Sequence, residues 1–149
     1  METSASNDIH TLYQNLMDTW NRRNARDMAD LFGESGELIG FDGSTAKGSN
    51  EIFSHLALIF ENHPTAPYVS KIKDVRFLSS TVAVLRAIGG MIPIGQSDLE
   101  SKLNAHHTLV AVQHNEKWST DLFQNTPAAF HGRPELVEEM TNELRQELN

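Results

Sequence analysis

Residues 103–126 read LNAHHTLVAVQHNEKWSTDLFQNT, and the way this stretch divides decides the fold. Two runs rich in β-branched and aromatic residues, Leu103 to His114 and Lys117 to Thr126, flank Asn115-Glu116, which reads as a tight hairpin turn. Counting outward from that turn without interruption sets Val110 opposite Asp121, Thr108 opposite Phe123 and His106 opposite Asn125. His106, Thr108, Asp121 and Asn125 then share one face with Val110, Val112 and Phe123. A few polar groups in an apolar surround are what a small-molecule pocket presents. A polar cluster of Asp121 with His106 or Asn125 is expected there, because an unpaired buried carboxylate costs several kcal/mol. The other face carries His107, Leu109, Ala111, Trp118, Leu122 and Gln124, and is expected to be a dimer surface.

Working outward, Tyr68 to Leu78 and Thr81 to Ile92 alternate in the same way and read as two more strands. Gly89-Gly90 inside the second suggests a bend or bulge that lets a sheet curl. Upstream the period changes to helical. Ile9, Leu12, Leu16, Met17 and Trp20 mark a first helix, with Tyr13 beside them and Ser6, Asn7 or Asp8 as caps. Asn24 caps a shorter second helix whose stripe is Met28, Leu31 and Phe32, with Asp27 at the reciprocal position. Glu37 to Phe41 reads as a short strand closed by the turn pair Asp42-Gly43. Gly48-Ser49 opens a third helix that ends at His63-Pro64. After the hairpin, Pro134 starts a last helix with Leu136, Val137, Met140, Leu144 and Leu148 on one face.

Helices followed by a strand meander predict an α+β fold, with helices packed in a curved antiparallel sheet that forms a cone. One domain spans 1–149, with its core over about 8–126 and the extra helix over about 134–148. Trp20, Leu31, Phe32, Phe53, Phe60 and Phe77 are expected as core or pocket wall, and the mouth of the cone as the site.

The bulk chemistry narrows the function classes. Twelve Lys plus Arg against twenty Asp plus Glu give a formal charge of −8, unsuited to nucleic acid or anionic lipid. The chain has no cysteine, so thiolate chemistry and Cys-based metal sites are out. No segment approaches the roughly 20 apolar residues of a membrane span, and no signal-peptide core is present, which points to a cytoplasmic protein. Histidines and carboxylates show no metal-ligand spacing, and no phosphate-cradling loop or Gly-x-Ser-x-Gly elbow occurs. No metal or cofactor is expected.

Several motifs together carry a family likeness. They are Trp20 to Asp27 followed by Leu31-Phe32, the Gly43 and Gly48 to Ile52 helix entry, Val75 to Leu78, and Trp118 to Thr126 with its Gln-Asn-Thr ending. Over about Asp8 to Thr126 the chain resembles the SnoaL-like, nuclear transport factor 2-like superfamily. The resemblance implies a cone with a deep pocket and a homodimer. It also implies either acid/base chemistry of isomerase, cyclase or dehydratase type on a small apolar carbonyl compound, or non-catalytic binding.

In the isomerase-like members a carboxylate base ends the first strand, where Asp42 falls here, and desolvation is expected to raise its pKa. Asp42 and Asp121 are thus the candidate catalytic carboxylates. Tyr13, Trp20, Phe60, His106, Thr108, Phe123 and Asn125 are the candidate pocket residues. The isomerases' two acidic donors fall near Leu16 or Met17 and near Thr108, so Tyr13 lies a turn away and steroid isomerase chemistry is not expected.

Overall fold

Ile9, Leu12, Tyr13, Leu16 and Met17 form the buried stripe of α1 (Ser4–Asn21) in the computed structural model, which describes residues 4–148. Residues 1–3 and 149 lie outside the described residues. The Asn24 side chain caps α2 (Ala25–Ala29), accepting the Asp27 amide at 3.0 Å, and its amide nitrogen donates back to the Asp27 carboxylate. α3 (Ser49–Asn62) buries Ile52, Leu56 and Phe60 against the same core. Arg26 lies 3.9 Å above the Phe53 ring and fixes α2 to α3.

Six strands make one curved, unclosed sheet: β1 (Phe32–Ile39), β2 (Thr45–Lys47), β3 (Tyr68–Ser79), β4 (Val82–Met91), β5 (Ala105–His114) and β6 (Lys117–Pro127). Their order is β2-β1-β6-β5-β4-β3. The class is α+β, as expected, but the sheet is not wholly antiparallel, because β1 runs parallel to β6. The long excursion between those two strands supplies the crossover that parallel pairing needs. β1 also starts at Phe32 rather than Glu37, with Gly33 and Gly36 inside it. A Cβ on Gly36 would sit 2.6 Å from the Thr120 carbonyl oxygen, so the strands approach too closely there for any side chain.

The hairpin turn forms as predicted, with Asn115 and Glu116 both at positive φ (51° and 66°). The register beyond it differs. Ala111 pairs with Thr120, but Val110 pairs with Leu122, so Asp121 is the extra residue of a β-bulge. Past the bulge every β6 residue is displaced by one against β5. Leu109 faces Phe123, His107 faces Asn125 and Thr108 faces Gln124. Because side chains alternate, this single insertion exchanges the faces of β5. Ala105, His107, Leu109 and Ala111 are buried on the concave side, and His106, Thr108, Val110 and Val112 are only partly buried on the convex side.

Gly89-Gly90 forms no bulge, since β4 runs in register with β5 through Gly89 and with β3 through Gly90. The pair provides room instead. A Cβ on Gly89 would meet the His107 ring at 2.6 Å, and one on Gly90 would meet Leu144 at 2.9 Å. Phe77, expected inside, is 38% exposed and packs edge-on against Trp118. α4 (Pro134–Arg145) finds its partner within the chain. Met140 and Leu144 pack on Ile88 and Leu99 at one end of the convex face, while Leu148 stays exposed. Glu143, bridging Lys71 and Lys73, and Arg145, paired with Asp98, hold the helix at its edge.

Candidate functional site

The helices close only part of the concave face. They leave a cavity of about 590 Å³ walled by Trp20, Met28, Leu38, Leu56, Ile59, Tyr68, Met91, Leu103, Phe123 and Asn125. That size suits a small organic molecule. Most of the wall is apolar. At one end stand Gly40, Phe41, Asp42, His55, His63 and Thr65, among which Asp42 and His63 are exposed, so this end meets solvent.

Trp20 is held rigidly. Its indole N–H donates to the Ala66 carbonyl at 3.0 Å, and its ring packs edge-on against Phe60 and beside Tyr68, with centroids at 5.1 and 5.4 Å. Phe60 therefore buttresses the wall from behind.

Asp42 occupies the five-residue loop between β1 and β2, bracketed by Gly40 N–H to Ser44 C=O at 2.9 Å and by Gly43 at φ 88°. Its carboxylate accepts the Ser44 amide at 2.9 Å. The expected rise in pKa is reversed. The Ser44 amide and hydroxyl, aided by His55, hold the carboxyl below the usual carboxylate range, because the group sits in an exposed turn with little desolvation.

A buried corner of the same chamber is built from α1, β3, β5 and β6. The Tyr13 hydroxyl bonds His107 Nδ1 at 2.7 Å. Asn125, the cross-strand neighbour of His107, donates from Nδ2 to the Tyr68 hydroxyl at 2.9 Å. The His107 ring is clasped edge-on by Tyr68 and Phe123, both with centroids 5.1 Å away. Burial drives the His107 pKa down to about 3, with His106 adding to the shift and Asn125 opposing it, so the imidazole is neutral. Burial likewise raises both phenols, Tyr13 and Tyr68, and keeps them protonated.

Of the residues singled out from the sequence, Trp20, Phe123, Asn125 and Asp42 line the cavity. Tyr13 and Phe60 stand one layer behind it. The bulge removes the other three. Asp121 is exposed, and Thr108 and His106 lie on the convex face, His106 beside Phe130 and within a groove under α4. The polar cluster expected around Asp121 does not form with His106; Asn125 joins His107 and Tyr68 instead.

Tyr68, His107, His55 and Gly89 were missed. One signal was available: Ala83, Ala87, Gly89, Ala105 and Ala111 share a parity, and such small residues mark the sheet side on which helices must settle. Among the described residues no three His, Asp or Glu side chains gather as a metal site would require. No described helix is long and apolar enough to cross a membrane.

No protein-family model matches the chain, and no curated protein matches it in sequence. Solved structures match it in shape. A domain of unknown function with a cystatin-like fold from Nostoc punctiforme superposes with a TM-score of 0.81 at 23% identity, covering 93% of this chain and 86% of that one. An NTF-2 like protein of unknown function from Shewanella oneidensis gives 0.64 at 19% identity, covering 82% and 98%. A ketosteroid isomerase-like protein from Erwinia carotovora atroseptica gives 0.67 at 16% identity, covering 86% and 99%. The fold is that of the cystatin-like and nuclear transport factor 2-like proteins, as the resemblance in the sequence implies.

Proposed function

We propose that this chain is a cone-fold protein that binds a compact, largely apolar carbonyl compound and handles a proton on it without a cofactor. The observation that carries this reading is the cavity: an apolar chamber whose lining includes the ionised carboxylate of Asp42, the phenol of Tyr68 and the amide of Asn125. Proton abstraction beside a carbonyl needs such a division of labour, a base on one side and a donor for the oxygen on the other. Asp42, with His55 beside it, is the proton-handling group. This is the chemistry of isomerases, cyclases and dehydratases.

A second reading has an observation of its own. A carboxylate tied to Ser44 and held below its usual pKa is a weak base, which favours a binding module without turnover. Exchange of α-hydrogens for deuterium in small cyclic ketones, followed by NMR in D₂O, separates the two. Catalysis is expected to accelerate exchange, and Asp42→Asn to abolish that acceleration. The low pKa of Asp42 gives the sign of the pH effect. The base stays ionised as pH falls from 8 to 5, so exchange should hold level over that range and decline only on entering the carboxylate range. Binding without exchange would establish the second reading.

Assembly follows from the convex face. Val82, Val84, Val110, Val112 and Leu122 are partly exposed there, beyond the edge of α4. We infer a homodimer through this face. Light scattering at micromolar concentration is expected to return the mass of two chains; a single-chain mass would overturn the assembly.

A further inference from the structure

The buried corner contains more hydrogen-bonding capacity than its own bonds use. His107 Nε2 and Asn125 Oδ1 are both buried and lack a bonded partner among the described residues, although the two residues are cross-strand neighbours. A neutral imidazole carries one proton, and its two placements are not equivalent here. With the proton on Nδ1, Nε2 and Asn125 Oδ1 would oppose each other as two acceptors. With the proton on Nε2, Nδ1 accepts from Tyr13 and Nε2–H is aimed toward the amide oxygen. Asn125 Nδ2 already donates to the Tyr68 oxygen, which leaves the Tyr68 hydrogen uncommitted. Tyr68 borders the cavity.

We propose that Tyr13, His107, Asn125 and Tyr68 form a one-way chain of donors whose last hydrogen, on Tyr68, is presented to a ligand carbonyl oxygen. Tyr68 is the binding group, and the other three are positioning residues that polarise it. Each donor in such a chain strengthens the next. Gly89 is part of the device, because only a residue without a Cβ leaves space for the His107 ring. The chain holds no net charge, so it selects an oxygen that accepts a hydrogen bond, on an otherwise apolar body, over a carboxylate or a phosphate. It also favours an oxygen on which negative charge develops. This inference deepens the cavity reading above and rests on it.

The test compares 2-acetonaphthone with 2-ethylnaphthalene, which has nearly the same shape and no oxygen. Affinity is measured by calorimetry, and the carbonyl stretch of the bound ketone by infrared difference spectroscopy. The wild type is expected to bind both and to shift the stretch to lower frequency. Tyr68→Phe should weaken the ketone about tenfold and return the stretch toward its free value, with the hydrocarbon unchanged. Tyr13→Phe, separated from the ligand by three side chains, should weaken the ketone about threefold and move the stretch part of the way. If Tyr13→Phe loses the hydrocarbon as well, His107→Gln, which keeps a donor toward Asn125, takes its place and should preserve most of the shift. A stretch that responds to Tyr68→Phe alone, or to no variant, would overturn the chain while leaving the cavity reading intact. A wild type that binds neither compound would remove the cavity reading and this inference together.

Discussion

Lowering the pH from 7 to 4.5 is expected to cost the fold about 2.5 kcal/mol through one side chain, His107. The unfolded imidazole takes its proton near its ordinary pKa, about 6.5. The folded one does so only near pH 3, because the ring is fully buried among Tyr13, Tyr68 and Phe123. Between those values the unfolded state binds a proton that the folded state refuses. Stability contributed by this group is therefore complete above pH 6.5, falls by at most about 1.4 kcal/mol per pH unit below it, and levels off near pH 3. Urea unfolding at both pH values, for wild type and His107→Gln, isolates the effect. The carboxyls Asp42, Asp98 and Glu143, held below their usual range by their hydrogen-bond and ion-pair partners, are common to both proteins. The wild type should lose about 2.5 kcal/mol more than the variant over this interval. Equal losses would mean that His107 is solvated or charged in the folded protein.

The second large effect belongs to Gly89. Its added Cβ in Gly89→Ala would lie 2.6 Å from His107 Cε1 and 2.9 Å from Nε2, against a ring that is 0% exposed. The ring cannot swing away, since Tyr68 and Phe123 flank it and Tyr13 holds its other nitrogen. Overpacking together with a lost buried hydrogen bond should cost roughly 3 kcal/mol. Gly90→Ala serves as the comparison. It meets the tip of Leu144 at 2.9 Å, a flexible side-chain end that can give way, and should cost less. Combining Gly89→Ala with His107→Ala should be markedly less harmful than the sum of the single changes, because the second removes what the first strikes. Denaturant unfolding of the four proteins gives the coupling, and additive costs would separate the glycine from the histidine.

Periodicity carried most of the architecture. The helical stripes of α1 and α3 and the Asn115-Glu116 turn are local features, and local chemistry decides them. The candidate site depended on something not local. One residue, Asp121, bulges from β6, and the face assignment of β5 reverses with it. Nothing in WSTDLFQNT distinguishes a bulged from an unbulged strand, because both faces of this sheet are apolar: one is covered by α1, and the other is partly covered by α4. The β-branched run Thr108, Val110 and Val112 looks like a core face and is the convex one. Asp42 was legible in position but not in charge state, since its pKa follows from the amide and hydroxyl of Ser44 and an exposed turn. Tyr68 could not be joined to His107 from sequence, because β4 lies between β3 and β5 and the two rings meet across it.

The central claim is that the cone is a chamber for an apolar carbonyl compound. It is tested most directly by isotope-filtered NOE spectroscopy on the labelled protein with bound 2-acetonaphthone. Cross-peaks from the ligand to the methyl groups of Met28, Leu38 and Leu56 and to the ring of Phe123, which together wall the cavity, are the expected result. Cross-peaks confined to the convex-face residues Val84, Val110 and Leu122, or none at all, would contradict it.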